Sequence, residues 1–505
     1  MTFNYEELVK NTRKAFNTGK TKTLDFRLTQ LKALLRLYED NTQLMIDALK
    51  IDLGKSKQES ITGEVNVLKN DVRNLIYNLR EYMTPDKPSK DIANLFDGVY
   101  IIKEPYGVVL VIGAWNYPLQ LLGAPVAGAI AAGNCVIIKP SEVAAETAKL
   151  FEKLIPQYLD NECYKVVYGG VTETTELLKQ KFDYIFYTGS TMVGRIVHAA
   201  ANKYLTPVTL ELGGKSPVYI DDTVNFDVAV KRILWGKCVN AGQTCIAPDY
   251  ILCTTDVQHK FISTAQKILK EFYNGDIRHS PDYCRIINNQ HFNRLRNLIT
   301  ESNTVIGGAT DESNLFIEPT ILVNVKADDP IMQHEIFGPI LPILNIENFE
   351  DAIDFINLRE KPLALYVFSN KKDVINTFLT NVSSGGVVIN DTLMHFLTDS
   401  LPFGGVGNSG MGRYHGKYSF ETFSHQKSCL YKDYNIIAES LAAARYPPYS
   451  DFKTNFLTQL LKKRKFLKLP GVVTIAFILL ASIGIRYFAN IYGYSTYWTS
   501  FFKSQ

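Results

Sequence analysis

The sequence predicts an α/β fold built on parallel sheets, followed by a transmembrane helix at the C-terminus. Three observations carry this expectation. Short apolar runs that end at Gly or Pro alternate with stretches of helical periodicity, the pattern of βαβ units. The first proline is Pro85, so the chain before it is free to be helical. Near the end, 17 uncharged residues lie between Lys468 and Arg486.

Taken in order, Leu24, Leu28, Leu31, Leu35 and Tyr38 recur at helical spacing, and Leu44 to Ile51 continues the apolar pattern. Pro85-Asp-Lys-Pro-Ser is a loop signal. Val108–Ile112 reads as a buried strand ending at Gly113, and Cys135–Lys139 as another ending at Pro140. The Ala/Gly-rich stretch from Gly123 to Ala132 between them suits a closely packed helix. Tyr164–Tyr168 and Tyr184–Tyr187 are further strand candidates. Ligands of such sheets bind beyond the carboxyl ends of the strands.

Charge is unevenly placed. The net value is +3 over 505 residues, but eight basic and no acidic residues lie from Lys453 onward. The tail therefore carries +8 and the body −5. An acidic body argues against nucleic acid as a partner. Seven cysteines without a CxxC pair fit free thiols in a reducing compartment. No basic-then-apolar leader is read at the start, so the body is expected in the cytosol. The eight histidines form no ligand cluster, so no metal is expected.

The apolar run reaches ~25 Å as a helix, at the short end for a span. Arg486 can snorkel, and apolar residues resume at Tyr487-Phe488-Ala489. Tyr492, Tyr494, Tyr497, Trp498, Phe501 and Phe502 resemble an interfacial aromatic belt, and Lys462-Lys463-Arg464-Lys465 precedes the run. The expectation is a single-pass tail anchor over 469–489; the plainer reading is a buried C-terminal helix. Phe452, Phe456, Leu457, Leu460 and Leu461 are spaced for one face of an amphipathic helix ahead of it.

Two segments stand out chemically. Asn240-Ala-Gly-Gln-Thr-Cys245 surrounds a thiol with small and flexible residues. Leu210-Glu211-Leu-Gly-Gly-Lys-Ser-Pro217 places a carboxylate at the end of an apolar run. Alone, the first reads as a small buried hydrophobe and the second as an ion-paired carboxylate. Together, 34 residues apart, they resemble the two active-site signatures of the NAD(P)-dependent aldehyde dehydrogenase superfamily. The resemblance continues in order to about residue 430. It includes Gly113-Ala-Trp-Asn-Tyr-Pro118, Lys139-Pro-Ser-Glu142, Tyr187-Thr-Gly-Ser-Thr-Met-Val-Gly194 and Glu335-Ile-Phe-Gly-Pro339. Ile389–His395 and Pro402–Gly416 resemble the class 3 branch, which includes membrane-bound fatty aldehyde dehydrogenases. Arg445-Tyr-Pro-Pro-Tyr449 before an apolar anchor is similar to those.

The resemblance implies a site. Cys245 attacks the aldehyde, and the Asn116 amide with the Cys245 N–H receives the oxyanion. Hydride passes to nicotinamide, and water hydrolyses the remaining thioester. Glu211 is the expected general base and Glu335 the runner-up. Lys139, Glu142, Gly189, Ser190, Gly194, Glu335 and Phe337 are the expected cofactor contacts. Glu142 suits a ribose hydroxyl, which favours NAD while leaving NADP possible. His395 and His415 read as structural.

The implied fold has a Rossmann-type cofactor domain (1–82 and 101–210), a bridging and oligomerisation element (83–100 and 417–440) and a catalytic domain (211–416). A basic amphipathic linker (441–468) and the anchor (469–489) follow. Expected partners are a small-molecule aldehyde, the membrane and a second copy in a homodimer. Medium- to long-chain fatty aldehydes are the expected substrates and the endoplasmic reticulum the expected membrane. The alternatives are a short-chain or aromatic aldehyde dehydrogenase whose anchor only sets location, and a catalytically silent membrane-tethered scaffold.

Overall fold

The computed structural model describes residues 4–463 except 96, 433 and 435. It divides into two compact units, Met1–Asp86 with Ile101–Ser428, and Lys87–Tyr100 with Cys429–Gln505.

The proline-free start is helical, as its periodicity predicts. The helix Leu24–Asp40 is capped by Thr23, whose hydroxyl accepts from Phe26 N at 3.3 Å, and it buries Leu31, Leu34, Leu37 and Tyr38 completely. The helix Thr42–Leu53 stops at Gly54, where φ is +65°. A five-residue π-turn, Ile61–Val65, then joins the short helix Lys57–Ser60 to the long helix Asn66–Met83. Such turns insert one residue into the helical repeat and turn its neighbours to new directions.

The strands Val108–Ile112 and Cys135–Lys139 form as expected, with every residue buried. The helix Gln120–Ala132 lies between them in sequence and is buried on all sides. Its small residues permit this. A Cβ at Gly123 would meet Tyr38 Oη at 2.6 Å, and one at Gly128 would meet Ser419 Cβ at 2.8 Å. The candidate strand at Tyr164 is shorter than its apolar run and ends at Val166.

These strands belong to a six-stranded sheet. Val108–Ile112 pairs in parallel with Cys135–Lys139 and Tyr184–Thr188, and Val208–Glu211 adds to the latter. Register places Ile112 beside Lys139 and Tyr187, and Thr188 beside Glu211. Lys139, Gly113, Gly189 and Glu211 thus share the carboxyl edge of one sheet.

A seven-stranded sheet follows. Pro217–Ile220, Tyr250–Cys253, Ile340–Asn345, Thr320–Leu322, Ala364–Phe368 and Gly386–Ile389 pair in parallel, and Thr304–Ile306 joins antiparallel. Cys245 and Glu335 precede strands of this sheet and so enter from its amino edge, whereas the sequence pattern points only to carboxyl edges. Gly98–Pro105 and Ser424–Tyr431 form a separate two-stranded sheet.

In the second unit, Ser450 caps the helix Asp451–Leu461. Phe456, Leu457 and Leu460 are half-buried, while Phe452 and Leu461 are exposed. Among the described residues no helix is long and apolar enough to cross a membrane. The anchor expected over 469–489 lies outside the described residues.

Candidate active site

The segment around Cys245 is held in a conformation that side chains rarely adopt. Asn240, Ala241 and Gly242 have φ of +53°, +51° and +72°. Hydrogen bonds from three directions hold it. Asn240 N donates to Glu59 Oε2 at 3.1 Å. The Asn240 amide donates to Asn116 O at 2.8 Å and to Gln243 O at 3.0 Å. Gln243 donates to Asn240 O and Arg285 O, each at 3.0 Å, and accepts from Ile287 N at 3.0 Å. Beyond the thiol, Tyr366 Oη donates to Ile246 O at 2.5 Å. Cys245 is left half-buried between two fixed ends.

Asn116 is 3% exposed, and its amide donates to Gln243 O at 3.1 Å. An amide nitrogen has two hydrogens, so one remains for another acceptor. Glu211 is buried, and neither carboxylate oxygen has a hydrogen-bond partner among the described residues. Burial alone pushes its carboxyl well above the usual range. Glu335 lies against the turn after Glu211, since a Cβ at Gly213 would stand 2.1 Å from Glu335 Oε2. Burial, with Asp249 adding, pushes the Glu335 carboxyl up to about 8, against an opposing backbone bond from Gly214. Burial, then the charges of Glu335 and Glu211, raise the Cys245 thiol. The structure therefore brings Cys245, Glu211 and Glu335 within electrostatic reach, with Asn116 bonded to the loop that carries the thiol.

The segment bearing Glu335 is anchored in turn. Lys215 Nζ donates to Asp249 Oδ2 at 2.5 Å and to Ile331 O at 2.9 Å. Asp249 Oδ1 accepts from Ile336 N at 3.0 Å. Phe337 has φ of +50° and meets Trp115 edge-on, with ring centroids 5.2 Å apart.

The remaining predicted contacts line the carboxyl edge of the first sheet. Lys139 Nζ is buried, donates to Pro140 O at 2.8 Å and lies 3.5 Å from Glu142 Oε2. Gly189 has no room for a side chain, since a Cβ would sit 2.2 Å from Tyr187 Oη. Ser190 caps the helix Thr191–Asn202. Gly194 lets that helix approach Leu212, 2.7 Å from where its Cβ would stand.

A cavity of about 260 Å³ opens beside Cys245. Its wall is mostly apolar, with Leu121, Trp235, Ile246, Leu393, Phe396 and Phe403 prominent. Gly63 and Glu59 also line it, and His415 contributes while stacking on Phe403 at 5.0 Å. His395 stacks on the same ring at 5.7 Å, with no hydrogen-bond partner for either ring nitrogen among the described residues. Among these residues no group of His, Cys, Asp and Glu is arranged to hold a metal ion.

Sequence reasoning missed Lys55, Glu59 and Glu64. The Lys55–Glu64 pair is wholly buried at 2.5 Å, and Lys55 Nζ also donates to Asn116 O at 3.1 Å. Their spacing gives no amphipathic signal, because Lys55 precedes the helix Lys57–Ser60, Glu59 lies in it and Glu64 lies in the π-turn after it, so no single regular helix relates the three. Asn240 and Gln243 lie inside the motif that carries Cys245, but nothing in the sequence distinguishes their role from that of flexible neighbours.

A thiol facing two carboxylates, beside a fixed amide and an apolar cavity, is suited to covalent chemistry on an electrophilic carbon. Comparison narrows that class. A model of the aldehyde dehydrogenase family matches residues 3–429, and the chain belongs to that family. It is 53% identical to the rat "Aldehyde dehydrogenase, dimeric NADP-preferring" over 88% of this chain and 97% of that protein. It is 50% identical to mouse "Aldehyde dehydrogenase family 3 member A2" over 91% and 94% of the two chains. The solved "Substrate bound state of Staphylococcus Aureus AldH" superposes with a TM-score of 0.89 at 44% identity, covering 91% of this chain and all of that one. The enzymatic class and the α/β fold with parallel sheets are those that the sequence motifs imply.

Proposed function

We propose that the protein oxidises medium- to long-chain fatty aldehydes to carboxylic acids with NAD or NADP, through a thiohemiacetal and then a thioester on Cys245. The observation that carries this reading is the mostly apolar cavity lined by Cys245 together with the exposed Met394 and Leu397. Such a wall suits an alkyl chain and offers little to a polar substrate.

The chain's own residues perform the steps. Burial first, then the charges of Glu335 and Glu211, raise the Cys245 thiol, so its proton has to leave as sulfur attacks. In this reading the second amide hydrogen of Asn116 and the Cys245 N–H receive the developing oxyanion. Glu211, with both oxygens unpartnered and its pKa raised, is the base that takes a proton from the hydrolytic water. Glu335, tied to the Gly214 backbone, serves the cofactor side.

The carboxyl edge of the first sheet fits a dinucleotide. Gly189 keeps the backbone bare, Ser190 opens a 12-residue helix whose N-terminal N–H groups suit a pyrophosphate, and Lys139 with Glu142 suits a ribose. Bound there, the nicotinamide supplies the hydride acceptor. The NADP preference in the rat relative's name keeps both cofactors open.

The same reading assigns 1–82 and 101–210 to cofactor binding and 211–416 to catalysis. Residues 83–100 and 417–440 form the bridging element of a homodimer, a state named for the rat relative. The linker 441–468 and the span 469–489 anchor the protein in the endoplasmic reticulum membrane, with the body in the cytosol. The decisive experiment is steady-state rates for saturated aldehydes of two to about twenty carbons, with NAD and NADP, on the full-length protein. A kcat/KM that rises with chain length supports the proposal, and one that is highest for the shortest aldehydes overturns it.

A further inference from the structure

Lys55 sits in an unusual place for a cation. Its side chain has no exposure, and its ammonium makes three distinct contacts. It pairs with Glu64 Oε1 at 2.5 Å, donates to Asn116 O at 3.1 Å and lies 4.0 Å from the centre of the Tyr117 ring. The other oxygen of Glu64 accepts from Leu119 N at 2.9 Å and Gln120 N at 3.3 Å. The pair therefore grips the chain on both sides of Tyr117. Asn116 O also takes the Asn240 amide, which joins this grip to the loop carrying Cys245.

Stability does not account for such a pair. Two buried charges recover little beyond their desolvation penalty, and apolar residues of similar volume commonly serve the fold as well. What the pair supplies is a fixed position for the Asn116 backbone, from which the Asn116 amide is aimed. Hydrogen-bond donors at a developing oxyanion are effective only when their placement is fixed before the reaction.

We propose that Lys55, held by Glu64, is a positioning residue for the reaction, acting through Asn116 on the oxyanion formed at Cys245. This rests on the reading of Asn116 as an oxyanion donor. The test uses the full-length protein and compares Lys55→Met/Glu64→Gln, Asn116→Ala and the triple variant with the parent. Removing both charges together avoids leaving one buried alone, and the Gln keeps an acceptor for Leu119 N and Gln120 N.

The pair variant is expected to lose about 10- to 100-fold in kcat with the aldehyde KM changed less than about twofold, since a misplaced group slows the step without weakening apolar binding. Its rate of Cys245 alkylation by iodoacetamide should stay at the parent value. The triple variant should be no slower than Asn116→Ala alone, because a residue acting only through Asn116 has nothing left to position. Parent-like kcat in the pair variant beside a slow Asn116→Ala overturns the proposal alone. So does a triple variant slower than Asn116→Ala by the full pair effect. Parent-like kcat in Asn116→Ala overturns the oxyanion reading, and the proposal with it. Lys55→Arg, which keeps the charge pair but shifts the donor relative to Asn116, is a second variant read in the same way.

Discussion

Gly242 packs directly onto the backbone of Gly338: a Cβ at Gly242 would stand 2.3 Å from the Gly338 carbonyl oxygen. The thiol loop and the Glu335 segment are therefore in contact through main chain, and Gly242 also holds φ at +72°. Gly242→Ala should push the two apart. The positive φ alone destabilises by roughly 1 kcal/mol, and a displacement near 1 Å at the thiol costs about 10²-fold in rate. Steady-state kinetics and thermal melts should show kcat reduced by about that factor and a lowered Tm. Near-parent kcat would show that the loop tolerates the added carbon and that the contact does not set the Cys245 position.

The two carboxylates facing Cys245 differ in their partners, and so should their variants. Glu211 has both oxygens unpartnered, whereas Glu335 receives a backbone hydrogen bond from Gly214 and feels Lys215 and Lys237. A free carboxylate can take a proton from water, while a tethered one is better placed to hold a ligand. Glu211→Gln should therefore leave acylation intact and slow hydrolysis about 100-fold or more. Rapid mixing would show a burst of reduced cofactor near one equivalent of sites, followed by a slow phase. A burst in Glu335→Gln and none in Glu211→Gln would exchange the two roles.

These contrasts show what the sequence could and could not disclose. Val108–Ile112 and Cys135–Lys139 were readable because a buried parallel strand is a short apolar run with few alternatives. Cys245, Glu211 and Asn116 were found through motifs whose order matches a known family. Lys55 and Glu64 were not, because a buried ion pair looks in sequence like a solvated helix surface. Glu64 lies within the π-turn Ile61–Val65 and is fully buried, while its neighbour Gly63 lines the cavity. The amino-edge entry of Cys245 was equally hidden, since strand order and direction arise from long-range pairing that periodicity does not encode.

Gly63 offers a direct handle on chain-length preference. It lines the cavity, and a Cβ there would meet only Tyr117 Cε1, at 3.7 Å. The Cβ thus fits in ordinary contact, and a larger side chain there is expected to take up cavity space. Gly63→Leu should lower kcat/KM for dodecanal about tenfold or more and change that for propanal less than about twofold, in line with the penalty for crowding an apolar pocket. The measurement is the ratio of the two kcat/KM values. An unchanged ratio would place the alkyl chain elsewhere.

Asp71 should make stability depend on pH. Burial, with the nearby charge of Asp399 adding, pushes the Asp71 carboxyl up to about 8, partly offset by a bond from the Gly416 backbone. One of its oxygens has no partner among the described residues, and Asn74 donates to Asp399 Oδ2 at 3.0 Å. The unfolded chain ionises this group near 3.8, so between that value and about 8 the folded state holds a proton that the unfolded state has lost. The unfolded state then binds fewer protons, and stability falls as pH rises through that window. Asp71→Asn removes the titration while keeping a polar side chain. Its Tm should decline less than the parent's between about pH 5 and pH 8, with the two curves diverging further as pH rises. The comparison is a series of thermal melts of both proteins across that range. Parallel curves would mean that Asp71 is already ionised in the folded protein at neutral pH, the Gly416 backbone bond outweighing burial and the Asp399 charge.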